Sequence, residues 1–205
     1  MTGLRERKKR ATRAAIHKAA MRLFAERGFA GTTIDDVAAA ADVSRATVFS
    51  YFATKEDLVF ADAPLAVDAL AELLRDAPDV LDGVRDWARA LGEPADEHGG
   101  WIEPELVQQR KLMRAVPGVA AARLQIAHRL EEVIAAALVE RGTDPLAARL
   151  AAATCVAALA AAEDAAADAL EHAPAAASGA AESPLDRGLA FARAGLGHGA
   201  GAAPA

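Results

Sequence analysis

TTIDDVAAAADVSRATVFSYFATKEDL, residues Thr32 to Leu58, decides how the rest of the chain is read. It divides into two short helical segments joined by a tight turn, with a third segment starting at once. Thr33 is placed to cap the first segment, and Asp36 follows at capping-box spacing. Ser44 is placed to cap the second, which leaves Arg45, Ala46 and Thr47 in its exposed first turn. Thr54 stands before the third, with Asp57 again at capping-box spacing. Between the first two segments lies Ala41-Asp42-Val43. The middle residue of such a turn takes a left-handed backbone, which Gly adopts freely and Asp tolerates. Ile34, Val37, Ala38, Ala41, Val43, Val48 and Phe52 are the expected buried positions.

This pattern predicts a helix-turn-helix whose second helix, Arg45 to Tyr51, enters the major groove of DNA. A plain helical hairpin would carry similar apolar spacing. Three caps in register, a turn residue at the right place and basic flanks favour the DNA-binding reading.

Just upstream, Ile16, Ala19, Ala20, Leu23 and Phe24 make one apolar stripe on a helix from about Arg10 to Arg27, ended by Gly28. With this helix included, the chain resembles the DNA-binding head of the TetR family of bacterial repressors over residues 10–60. The residues that carry the likeness are Phe24-x-x-x-Gly28-Phe29, Thr32-Thr33-Ile34, Ile34-x-x-Val37-Ala38, Val43-Ser44-x-x-Thr47-Val48-Phe49 and Tyr51-Phe52-x-x-Lys55-Glu56-x-Leu58. The chain departs from the family at Asp42, where Gly is usual, and at Phe49-Ser50-Tyr51-Phe52, where Tyr-x-His-Phe is common.

The DNA contacts expected are Arg45, Ala46 and Thr47 toward base edges or nearby phosphates, and Thr33, Tyr51 and Lys55 toward phosphates. Arginine grips guanine bidentately, and the Ala or Thr methyl meets a thymine methyl.

Charge agrees with a head that meets a polyanion. Residues 1–58 carry 11 Lys and Arg against 7 Asp and Glu, and the remainder 12 against 22. Residues 1–9, MTGLRERKK, read as a disordered basic arm. The apolar fraction of 53% leans on Ala, and strand formers are sparse, so the fold class expected is all-α.

The domains expected are the arm at 1–9, a three-helix head at 10–58, a helical ligand-binding and dimerisation body at 59–197, and a disordered tail at 198–205. Pro64 predicts a break or a fresh helix start near Asp62. Helices follow over Leu65–Asp76, Val80–Leu91, Pro104–Ala115, Pro117–Arg141, Asp144–His172 and Pro184–Leu196. Residues 92–100 and 173–183 read as a loop and a linker. The family likeness implies a homodimer through Asp144–His172 and Pro184–Leu196. In the first of these, Leu146, Leu150, Ala153, Ala157, Ala160 and Ala161 make a small-residue face.

Effector chemistry is expected to be apolar, around Trp87, Trp101, Leu112 and Met113, with core packing as the competing account of each. Lys55-Glu56-Asp57-Leu58-Val59-Phe60 and the Asp-Pro-Leu-x-Ala-Arg-Leu of residues 144–150 resemble the acyl-CoA-sensing branch of the family. A helical acyl-thioester or lipid-like binding protein with a vestigial DNA-binding head is the alternative function.

No catalytic motif is present, and no cofactor is expected. Asp164, Asp168 and His172 share a helical face at metal-ligand spacing, as do His128, Glu131 and Glu132; a solvated polar face accounts better for both. Cys155 is the only cysteine, which fits a reducing cytoplasm, and its helical neighbours predict a buried thiol. The longest uncharged helical run, Leu150–Ala162, has 13 residues, short of the roughly 20 a bilayer span takes. A DNA operator, a small apolar effector and a second copy are the partners expected, without a membrane.

Overall fold

The computed structural model describes residues 3–92, 103–172 and 183–199, and among these every regular element is helical. The chain divides into two units, Met1–Ala63 with Gln108–Leu124, and Pro64–Val107 with Gln125–Ala205.

In the first unit, α1 spans Gly3–Arg27, α2 Ile34–Ala40 and α3 Arg45–Tyr51. The α1 stripe is buried as its spacing predicts: Ile16, Ala19, Ala20, Leu23 and Phe24 all lie inside. Val37, Ala38, Val48 and Phe52 join them, while Ile34, Ala41 and Val43 are half-buried. Two expectations change. Residues 3–9 are the first turns of α1 and not a loose arm, because Leu, Arg, Glu and Lys are strong helix formers with no breaker after Gly3. Thr54 and Asp57 exchange reciprocal hydrogen bonds of 2.8 and 3.2 Å, yet they frame a single 3-10 turn at Glu56–Leu58 and no longer helix. The chain then turns through Phe60 into α4 at Ala63, where Pro64 occupies an early helical position that needs no N–H donor.

The turn before α3 is as strained as its sequence implies. Asp42 sits at φ 53°, the one non-glycine residue with positive φ among those described. The Val43 N–H reaches back to the Ala38 carbonyl at 3.0 Å. Glycine removes the Cβ conflict of this conformation at some cost in unfolded-state entropy, whereas a β-branched residue worsens it. Asp42→Gly should therefore be neutral or stabilise by up to about 1 kcal/mol, and Asp42→Val should cost about 1–2 kcal/mol. Thermal unfolding midpoints of the two variants check the sign of each.

The second unit contains α4 (Ala63–Asp76), α5 (Val80–Gly92), α8 (Pro145–His172) and α9 (Pro184–Gly199). Helices α6 (Glu103–Ala115) and α7 (Pro117–Glu140) contribute residues to both units. The core of the second unit joins Val67, Leu70 and Leu74 of α4 to Val80, Leu81 and Val84 of α5, Ile134 of α7, Cys155 and Leu159 of α8, and Leu189 of α9. Trp87 is buried there, and its Nε1 donates to the Ala66 carbonyl at 2.9 Å. Arg85 of α5 donates to Asp186 of α9 at 2.9 Å, and Arg193 of α9 donates to Asp79 and Asp82 at 2.9 and 3.0 Å.

Helices α8 and α9 make the most extensive helix pair. Their approach is close at Gly188, where an added Cβ would lie 2.2 Å from the Ala158 Cβ. Ala151, Ala152, Cys155, Val156, Ala158 and Leu159 of α8 are buried. The opposite face is bare: Leu146 and Leu150 are 66% and 62% exposed, Ala153, Ala157 and Ala161 are exposed, and Ala160 is half-buried. Phe191 on α9 is 74% exposed. Counted with its charged residues, Pro145–Asp168 is long and apolar enough to cross a membrane by length and composition, so the count of 13 uncharged residues understates this helix.

The loop expected at 92–100 lies, apart from Gly92, outside the described residues. The same holds for the linker at 173–183, apart from Ser183, for Trp101, and for the tail beyond Gly199.

Candidate nucleic-acid interface

The helix-turn-helix is held by local chemistry. Thr33 caps α2 in a full capping box: its hydroxyl accepts from the Asp36 N–H at 3.1 Å, and its own N–H donates to Asp36 Oδ2 at 2.8 Å. The Thr33 hydroxyl and backbone N–H hold the Asp36 carboxyl below its ordinary pKa. Ser44 caps α3 by accepting from the Thr47 N–H at 3.0 Å, and the two side-chain hydroxyls share a hydrogen bond of 2.7 Å. The Thr47 hydroxyl is thus engaged locally.

The start of α3 is open. Arg45 and Ala46 are exposed, Thr47 is half-buried, and Phe49 is 44% exposed. Arg45 Nη1 donates to Asp35 Oδ2 of α2 at 2.8 Å, and the guanidinium lies 5.5 Å from the Phe49 ring centroid. Asp35 and Phe49 were not among the DNA contacts expected from the sequence. Phe49 stands one helical turn after Arg45, the spacing at which helical neighbours meet. Asp35 is separated from Arg45 by the turn, and no local rule pairs them.

Two further cations lock the head together. Arg13 of α1 donates from Nε to the Ala61 carbonyl at 2.7 Å and from Nη1 to the Tyr51 carbonyl at 3.3 Å, with its guanidinium over Phe52 at 4.6 Å. It ties the end of α3 to α1 and was missed because nothing in its spacing marks it. Lys55 donates from Nζ to the Phe29 carbonyl, with its ammonium 4.3 Å from the Phe29 centroid and 5.7 Å from that of Phe24. Burial lowers its pKa, with Glu56 and Asp36 opposing that shift. Lys55 is therefore half-buried against the C-terminal end of α1, where the sequence suggested a side chain reaching for phosphate. Tyr51 is half-buried and Thr33 exposed. Arg5, Arg7, Lys8, Lys9 and Arg10 are exposed along the first turns of α1.

Of the four expected effector residues, Trp87 is buried in the second unit, Leu112 is buried and Met113 half-buried in the first, and Trp101 lies outside the described residues. A surface cavity of about 560 Å³ between α4 and α5 is lined by Leu73, Asp76, Ala77, Pro78, Asp79, Asp82, Gly83 and Asp86. Four of its lining residues are aspartates. Among the described residues, no group of three His, Cys, Asp or Glu could hold a metal ion. His128 instead lies 3.3 Å from Glu132, one helical turn away.

Residues 16–61 match the family described as bacterial regulatory proteins, tetR family. The chain is similar to an HTH-type transcriptional repressor of Mycobacterium tuberculosis, 38% identical over 130 residues, covering 57% of this chain and 67% of that protein. It is also similar to the HTH-type transcriptional regulator TcmR of Streptomyces glaucescens, 28% identical over 144 residues, covering 68% of this chain. The match spans 64% of that relative's length, just under two thirds. Among solved structures, the fatty acid degradation regulator FadR of Bacillus halodurans shares the fold at a TM-score of 0.53 and 18% identity, covering 91% of this chain and 95% of that one.

Proposed function

The chain belongs to the TetR family of bacterial regulatory proteins, and from that premise we propose that it is a homodimeric repressor that binds a palindromic operator and leaves it when a small apolar effector binds. The observation that carries this reading is the start of α3. There a capped helix of the head presents Arg45, Ala46 and Phe49 outward. Arginine and a methyl or aromatic group side by side are what major-groove readout of guanine and thymine uses.

The outward face of α8 and α9 supports the dimer. Leu146, Leu150 and Phe191 leave an apolar surface that a second copy would cover in an isologous pair. The same pairing accounts for the apolar character of α8 without a membrane, and the protein acts in the cytoplasm. The carboxylates of Glu163 and Asp164 within that helix suit a solvated bundle better than a bilayer core. The effector is of the acyl-thioester or lipid-like class, on the strength of residues 55–60 and 144–150. It acts by favouring a dimer whose heads no longer match the operator spacing. A coupling of about 1–3 kcal/mol would change operator affinity roughly 5- to 150-fold.

Selection from random-sequence DNA tests the core of the proposal. The wild type should enrich one palindrome with half-site centres about 34–36 Å apart or a multiple of that. Arg45→Ala should cost about 1–3 kcal/mol and relax preference at one base pair of each half-site. No enriched sequence with the wild type would sink the repressor reading and favour the carrier with a vestigial head. Acyl-thioesters would then be screened for thermal stabilisation.

A further inference from the structure

We infer that Asp35 is a positioning residue for base readout, holding the Arg45 guanidinium so that its free Nε–Nη2 edge meets guanine. The inference deepens the operator-binding reading and rests on it.

The observation is a clamp on one exposed side chain. Arg45 is 59% exposed, a degree at which an arginine ordinarily samples many rotamers. Here it is held twice. Asp35 Oδ2 accepts from Nη1 at 2.8 Å, and the Phe49 ring lies 5.5 Å from the guanidinium carbon. The two contacts come from different elements, α2 and the next turn of α3. Ordering a long side chain is one of the costs of binding, and a side chain ordered beforehand has less left to lose.

An exposed ion pair adds little to stability, so its effect falls on geometry. The guanidinium carries five N–H donors in a rigid fork. With Nη1 turned to Asp35, the Nε–H and one Nη2–H remain parallel on the opposite edge. That edge matches the O6 and N7 acceptors of guanine.

Charge gives the pair a second consequence. Asp35 is 65% exposed and places a carboxylate on the face that approaches DNA. Paired with Arg45 it is neutralised. A backbone phosphate that drew Arg45 away would leave the carboxylate facing the polyanion. A guanine that accepts from the opposite edge leaves the pair intact. The pair thus disfavours capture by the backbone relative to readout of a base, a repulsive device against wrong sites.

The test uses the whole chain and the operator recovered by selection. Binding is measured with all four bases at each position, for the wild type, Asp35→Ala, Asp35→Asn, Arg45→Ala and the double alanine variant. Arg45→Ala should flatten a guanine preference of about 5- to 150-fold. Asp35→Ala should flatten preference at the same position by about 2- to 5-fold, while raising affinity for random DNA through the lost negative charge. Asp35→Asn keeps an acceptor oxygen and should recover part of the preference. In the Arg45→Ala background, Asp35→Ala should leave base preference unchanged. A uniform change on all sequences, or an equal change in preference with and without Arg45, would overturn the inference while leaving the repressor reading intact. Failure of the wild type to enrich any site would overturn the repressor reading, and this inference falls with it.

Discussion

Replacing both Leu150 and Phe191 with glutamate should turn the chain into a monomer and lower operator affinity by about 100- to 10,000-fold. The two side chains are 62% and 74% exposed, so neither substitution removes a core contact within one chain. In an isologous dimer each appears on both sides, and four carboxylates would enter one interface. Burying a carboxylate without a partner is strongly unfavourable. A single head retains only its own half-site contacts, and the gain from engaging two half-sites at once is lost. Sedimentation and operator titration read the two halves of this result. A variant that stays dimeric would show that the α8–α9 face is not the interface. A monomer that keeps full affinity would show that pairing contributes nothing to DNA binding.

Gly188→Leu should destabilise the protein by about 3 kcal/mol or more, lowering Tm by roughly 6–12 °C. The cause is the spacing of α8 and α9. A Cβ at position 188 would sit 2.2 Å from the Ala158 Cβ and 3.4 Å from its Cα. Neither atom belongs to a flexible side chain that could swing away, so the helices must separate. Separation opens the packing around Cys155, Leu159, Leu185 and Leu189, all of which are buried. Gly195 in the same helix is the control, because nothing lies within 4 Å of its added Cβ. There alanine should stabilise by about 0.5–1 kcal/mol through helix propensity alone. Equal effects at the two positions would mean that propensity and not spacing governs this helix.

What could be read from the sequence was mostly local. The Thr33–Asp36 box, the Ser44 cap and the left-handed Asp42 each depend on residues within a few positions, and all three are present. The α1 stripe was legible because period alone sets which side chains face inward. The first turns of α1 are less legible because a dense run of charge marks disorder as well as helix, and Arg, Lys and Glu favour helix where no breaker intervenes. Lys55 shows the opposite limit. Its spacing says nothing of Phe29, and only the tertiary fold brings its ammonium to that carbonyl. The Asp35–Arg45 pair was hidden for the same reason: it spans ten residues and a reversal of the chain. Trp87, Leu112 and Met113 mark a more general boundary. Apolar residues that line a cavity and apolar residues that fill a core share one sequence signature, and burial of Trp87 and Leu112 does not separate the two.

The single cysteine gives the α8–α9 pair a property of its own. Cys155 lies midway along α8, fully buried, and burial pushes its thiol up to about 11. The thiolate is the reactive form, so at neutral pH the native chain is doubly protected, by access and by protonation. Alkylation must then wait for the helix to open. The rate at which a small electrophile consumes this thiol is a clock on that opening, built in at the one cysteine of the sequence and wound by the same packing that closes around Gly188.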